Sequence, residues 1–114
     1  MSSEDCLFCK IVAGDVPADL VVTTGHAVAF RDVNPQAPTH VLVVPRSHHA
    51  DAAALAAAEP TTLAHLVDVA AKVAEQEGIT DYRLVFNTGE GAGQSVFHTH
   101  LHVLGGREMN WPPG

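Results

Sequence analysis

The chain has 114 residues, 46% of them hydrophobic, with 13 acidic against 6 basic side chains and a net charge of −7. That length allows one modest core and not two, so a single domain over residues 1–114 is expected. The acidic balance argues against a nucleic-acid partner, which needs a basic patch, but not against one small phosphate held by amides, hydroxyls and imidazoles.

In chain order, Met1–Asp5 is acidic and lacks the basic and apolar regions of a signal peptide. No apolar run approaches the roughly 20 residues of a membrane span. A cytoplasmic protein without a membrane partner is therefore expected. A short N-terminal helix is predicted over roughly 5–13, stopped by Gly14. Leu20–Thr24 and Ala27–Arg31, split by Gly25-His26, read as a hairpin. A Pro-rich loop over 32–38 leads to an apolar strand, His40–Val44, closed by Pro45.

Ala50–Ala58 predicts a short helix. Thr61 or Thr62 can cap the next one, with Leu63, Leu66, Val67, Ala70, Val73 and Ala74 as its apolar stripe and Gly78 as its stop. Tyr82–Asn87 reads as a strand, and Thr88–Gly93 as a flexible glycine turn leading to a histidine-bearing strand. The whole predicts an α+β fold: a mostly antiparallel sheet of about five strands, one long helix on a face, and a short N-terminal helix.

The chemistry concentrates in His98-Thr99-His100-Leu101-His102-Val103-Leu104. Alternation predicts a strand with His98, His100 and His102 on one face, neighbours roughly 6.5–7 Å apart. Three readings are open on the residues alone. The rings are hydrogen-bonded structural histidines, or ligands of a catalytic zinc, or a nucleophile flanked by phosphate-binding neighbours. Cys6-Leu7-Phe8-Cys9 leaves a redox pair, a metal half-site or two incidental thiols, since a structural disulfide does not suit a chain without an export signal. A zinc site would need two further ligands, and His48, His49 and His98 are candidates.

The motif resembles that of the histidine-triad (HIT) superfamily, His-φ-His-φ-His-φ-φ with φ apolar, from which Thr99 is a small departure. Phe30–Pro45, Gly93-Gln94-Ser95-Val96 and the ending Leu104–Gly114 are similar to the Hint branch, the histidine-triad nucleotide-binding proteins, so that the resemblance covers nearly the whole chain. It implies the HIT-like fold and a hydrolase that cleaves the P–N bond of purine nucleoside 5′-phosphoramidates through a nucleotidyl-histidine intermediate. By this resemblance His100 is the nucleophile, its second ring nitrogen held by a main-chain carbonyl near His98. His102 and the amides around Gly93, Gln94 and Ser95 match phosphate-binding positions. Ser95 also matches a leaving-group contact, and His40 a supporting fourth histidine.

Asp32 matches the acid that takes the ribose hydroxyls, although as a residue it reads equally as a loop cap before Asn34-Pro35. Phe8, Ile11, Val16, Phe30 and Val33 would wall the base, and Asn87 would face the site. Cys6, Cys9, His48 and His98 match a closed, structural Cys₂His₂ zinc site found in many bacterial members, which would pin the N-terminal segment beside the nucleophile. The resemblance further implies a homodimer, with the Trp111 tail reaching towards the partner's site. His26 and His65 match nothing functional and are expected on the surface. Rival functions are a dinucleoside polyphosphate hydrolase of the same superfamily and a nucleotide-binding regulatory module with incidental hydrolysis.

Overall fold

The computed structural model describes residues 5–114; the signal-peptide reading of Met1–Asp5 falls almost wholly outside them. The fold is organised by one strand. Thr39–Pro45 (β3) is buried along its whole length, as an apolar run of Val and Leu requires when both faces of a sheet are covered. It pairs antiparallel with Ala27–Arg31 (β2) on one side and Leu101–Gly105 (β5) on the other. Leu20–Thr23 (β1) and Tyr82–Val85 (β4) complete the sheet at its edges, in the order β1-β2-β3-β5-β4.

The two faces of the sheet carry different residues. On one, Val41, Val43, Leu101 and Val103 pack with Leu55 of the helix Ala52–Ala58 (α2) and with Leu66, Val69, Ala70 and Val73 of the helix Pro60–Gln76 (α3). On the other, Val28, Phe30, Leu42 and Val44 meet Phe8 of the N-terminal helix Leu7–Ala13 (α1) and its cap residue Cys6. Gly14 ends α1 in the left-handed region at φ +81°, as predicted.

Several boundaries move. Glu59 caps α3 with Pro60 at its first position, where the missing N–H costs nothing; Thr62 instead donates to the Glu59 carboxylate. Val69 replaces Val67 in the buried stripe, and Val67 is exposed. β4 stops at Val85 rather than Asn87. His65 is half-buried, its Nε2 2.9 Å from the Thr24 hydroxyl. The glycine turn holds a 3₁₀ turn at Glu90–Ala92, and the buried Gln94 carboxamide fastens it, accepting from Gly89 N–H at 2.8 Å and donating to Ala50 O at 2.6 Å.

The largest departure concerns the histidine strand. β5 begins only at Leu101, so His98 and His100 lie on the irregular segment that approaches it. Thr99 N–H is drawn to His49 O at 2.8 Å instead of joining the ladder. The Thr99 hydroxyl lies 3.1 Å from His49 O and 2.8 Å from Asp51 O. A hydroxyl at this position therefore ties the segment to the start of α2, which an apolar residue could not do.

Candidate active site and metal centre

Sheet register brings the first two site histidines together. Leu42 sits opposite His102 and His40 opposite Leu104, so His40 and His102 are diagonal neighbours on the face away from α3. His40 Nε2 lies 2.9 Å from His102 Nδ1. The protons along this chain follow from its fixed end. Gln36 N–H donates to His40 Nδ1 at 3.0 Å, so a neutral His40 carries its proton on Nε2 and donates it to His102 Nδ1. A neutral His102 must then hold its own proton on Nε2, a buried atom with no partner among the described residues. Burial pushes the His102 ring down to about 4, helped by His100 and His40 beside it, and burial also lowers His40 against the opposing pull of Asp32. Both rings are neutral near pH 7.

His100 is fixed in the opposite sense. Its Nδ1 is 2.7 Å from the His98 carbonyl, which can only accept, so the proton lies on Nδ1 and Nε2 presents a bare lone pair. Burial lowers this ring as well, against the His98 carbonyl bond that favours its charged form. Phe8 stands edge-on to the His100 ring, with centroids 5.0 Å apart.

His98 turns away from both. Its Nε2 lies 2.9 Å from Pro45 O and so donates, which leaves Nδ1 bare. That nitrogen lies 3.3 Å from Cys6 Sγ, 3.4 Å from Cys9 Sγ and 3.2 Å from His48 Nδ1. Cys9 Sγ is 3.3 Å from His48 Nδ1. A tetrahedral Cys₂His₂ centre with bonds of about 2.3 Å to sulfur and 2.0–2.1 Å to nitrogen has edges of roughly 3.3–3.8 Å. The four donors approximate that figure, and an unprotonated nitrogen buried among two sulfurs and a second ring calls for a cation. As a free thiol Cys9 is pushed up to about 11 by burial and by Cys6, and burial lowers His98 to about 4 and lowers His48. His49 instead meets Glu59, its Nε2 2.6 Å from the carboxylate. Asp32, His40 and His102 also come close enough to share an ion. There, however, the Gln36 amide occupies His40 Nδ1 and keeps the proton on Nε2, so a hydrogen-bond chain fits better than a metal.

A cavity of about 610 Å³ opens in front of His100 and His102, a volume ordinary for a small-molecule site. Phe8, Ile11, Val16, Phe30 and Val33, the expected base wall, all line it, as do Asp32, Gly93 and Ser95. Asp32 serves both readings: Oδ1 accepts from Asn34 N–H at 2.8 Å as a loop cap, while the other oxygen stays 3.4 Å from His40. Gln94 and Asn87 are not on the wall. Gln94 spends its side chain on the loop and its N–H on Gly89 O, and Gly93 N–H is likewise used by Glu90 O. The Asn87 amide nitrogen lies beside Gly93, about where a β-carbon on that glycine would make van der Waals contact. Sequence reasoning missed Leu7, Leu42, Asp19 and Arg31, which also line the cavity. Alternation from His40 would have found Leu42. The Arg31–Glu77 pair, at 2.5 Å, left no sequence signal because 46 residues separate the partners.

Among the described residues no helix is long and apolar enough to cross a membrane. The HIT domain family matches residues 13–109. The chain is 47% identical over 112 residues to the 14 kDa zinc-binding protein of Zea mays, covering 95% of this chain and 87% of that one. It is 42% identical over 109 residues to the purine nucleoside phosphoramidase of Escherichia coli K12, covering 94% and 92%. A solved structure of a HIT family hydrolase from Legionella pneumophila superposes with a TM-score of 0.92 at 48% identity, covering 96% of this chain and all of that one. With that fold, that histidine geometry and these relatives together, the chain belongs to the HIT domain family, a superfamily of hydrolases, in its Hint-like branch.

Proposed function

We propose that this chain hydrolyses the P–N bond of purine nucleoside 5′-phosphoramidates. The observation that carries the reading is the pair of fixed hydrogen-bond partners, the His98 carbonyl on His100 Nδ1 and the Gln36 N–H on His40 Nδ1, from which opposed tautomers of His100 and His102 follow. His100 offers a bare Nε2 to the cavity, and beside it His102 offers an Nε2–H without a protein partner. A nucleophile needs the first and a phosphoryl oxygen the second. The 42% identical relative is named a purine nucleoside phosphoramidase, which supports the substrate class.

In the proposed reaction the base lies against Phe8, Ile11, Val16, Phe30 and Val33, and Asp32 accepts from the ribose hydroxyls. His100 Nε2 attacks phosphorus, forming a P–N bond to the ring as the bond to the leaving amine breaks. His102 Nε2–H holds a phosphoryl oxygen, and the exposed Ser95 hydroxyl gives the departing nitrogen its proton. The nucleotidyl imidazole keeps Nδ1–H on the His98 carbonyl and is cationic, which makes it a good leaving group. Water then attacks phosphorus as the P–N bond to His100 breaks, and the proton it sheds returns to the Ser95 oxygen, releasing the nucleoside monophosphate, the free ring and the restored hydroxyl. His40 acts through His102, holding its proton on Nε2.

The Cys6, Cys9, His48 and His98 donors fit zinc, and the name of the maize relative agrees. Closed by four protein ligands, such an ion crosslinks the chain and supplies no open coordination position to the substrate. We also propose a homodimer. β4 is an edge strand with a free side, and Arg83 donates to Asn110 O at 2.9 Å, holding the tail with the 83%-exposed Trp111 beside it. Light scattering should give twice the chain mass.

The deciding experiment is an acid-free quench of enzyme turning over α-phosphate-labelled adenosine phosphoramidate. Acid-labile label retained on wild type and absent from His100→Ala is expected. Rapid turnover with no label on either protein counts against the covalent route.

A further inference from the structure

The metal cluster and the cavity share one short element. α1 has seven residues, too few to hold together as an isolated helix. Its cap residue Cys6 and its first-turn residue Cys9 are two of the four cluster donors. Between and after them, Leu7, Phe8 and Ile11 line the cavity on the side proposed for the base. Phe8 is the one buried residue within the helix, edge-on to Phe30 at 5.5 Å and to His98 at 6.1 Å. Ile11 and Val12 pack, only partly buried, on the same cluster as Phe30 and Leu42, and the polar ties from α1 run through the two sulfurs to His48 and His98.

The nucleophile side is anchored differently. The carbonyl that orients His100 belongs to His98, whose position is fixed by Nε2–H on Pro45 O at 2.9 Å. Thr99 adds its N–H on His49 O and its hydroxyl on His49 O and Asp51 O. None of these bonds involves the cluster's donor atoms, and α1 meets the nucleophile through the edge of Phe8, its ring centroid 5.0 Å from that of His100, a packing contact that does not set its tautomer. Losing a metal would loosen α1, leaving it the apolar packing of Phe8, Ile11 and Val12, and would keep the His98–His100 carbonyl bond in place.

We infer that occupancy of the Cys6–Cys9–His48–His98 cluster determines base recognition, holding Leu7, Phe8 and Ile11 against the ligand while the phosphate side is assembled without it. The inference rests on the nucleotide reading of the cavity. Its thermodynamic form is reciprocal: if metal strengthens binding of a ligand that carries a base, that ligand must strengthen retention of metal by the same factor.

The test uses zinc-loaded protein with AMP and with ribose 5-phosphate, which lacks only the base. Zinc is withdrawn by a chromogenic chelator, and amide exchange of residues 7–13 is followed without ligand. AMP should shift the chelator midpoint by about tenfold, ribose 5-phosphate by less than twofold, and metal removal should speed exchange of α1 while β3 stays protected. Equal shifts by the two ligands, including the case in which metal loss unfolds the sheet, overturn the inference. So does exchange of α1 that ignores the metal. If AMP and ribose 5-phosphate both fail to bind the loaded protein, the nucleotide reading falls and base recognition with it, whereas metal-dependent exchange of α1 would still stand as a separate result.

Discussion

The two faces of the sheet are built on opposite principles. Against α3 the contacts are aliphatic: Val41, Val43, Leu66, Val69, Val73, Leu101 and Val103 are all essentially inaccessible and need only the right volume. Against α1 and the cavity, the same strands present His40, Leu42 and His102, and position depends on directed bonds to Gln36, Pro45, His49 and the His98 carbonyl. Stability is concentrated on the first face and chemistry on the second. A single pleated strand serves both because its residues alternate.

The sharpest way to break that division is to remove one residue from each face. His100→Ala should lower kcat/KM by on the order of 10⁴-fold, with a melting temperature near that of wild type, because the ring contributes a lone pair rather than a layer of core. Leu66→Ala should do the reverse. Leu66 is fully buried beneath the sheet, and its truncation should cost about 2–5 kcal/mol, measured by urea unfolding, while kcat/KM per folded molecule stays within about twofold. A Leu66 variant that loses turnover faster than folded protein would show that the two faces are mechanically coupled.

The same division explains what the sequence made legible. The α3 face follows from periodicity alone, and its one error, Val67 for Val69, comes from a stripe in which both positions are apolar. The hairpin and Gly14 are local signals and were readable for that reason. The site was legible chiefly through the resemblance, since its geometry depends on register and distant partners. Nothing local shows that β5 starts at Leu101, because the bond that diverts the chain runs from Thr99 to His49. That diversion separates His98 from the other two rings and gives it to the cysteines. Gln94 shows the converse difficulty: a polar residue in a glycine loop suggests a ligand contact, yet its side chain is spent bonding the loop's Gly89 N–H and tying the loop to the distant Ala50 carbonyl.

Acid should expose the difference next. His102 titrates near 4 in the fold against 6.5 for an unperturbed ring, so the unfolded chain binds the proton first as pH falls. This contribution to stability is complete above pH 6.5 and is lost between 6.5 and about 4, with a slope of at most about 1.4 kcal/mol per pH unit for the one ring. Urea unfolding at steps across that window measures it. The acid limb of kcat/KM should also lie below 6.5, because burial lowers His100 and only its unprotonated Nε2 can attack. An acid limb at or above 6.5 would contradict the neutral, desolvated nucleophile.

The smallest effect is expected at Thr99, where the two faces meet. Its side chain is buried and its hydroxyl reaches two carbonyls, His49 O and Asp51 O, with one proton to give. Thr99→Val keeps the shape and restores the apolar residue that the histidine-triad pattern favours, but it removes one donor shared by two carbonyls, each of which keeps a backbone donor, Asp51 O that of Leu55. The Thr99 N–H bond to His49 O survives, and so does the tether of His98 to Pro45. The variant should lose about 1 kcal/mol in unfolding free energy and keep kcat/KM within about twofold. A stabilised variant would mean that shape alone fixes the approach to β5. A large loss of turnover at unchanged stability would mean that the hydroxyl, acting through the His98 carbonyl, holds the nucleophile in its tautomer, and that the packed and the bonded faces are joined at this residue.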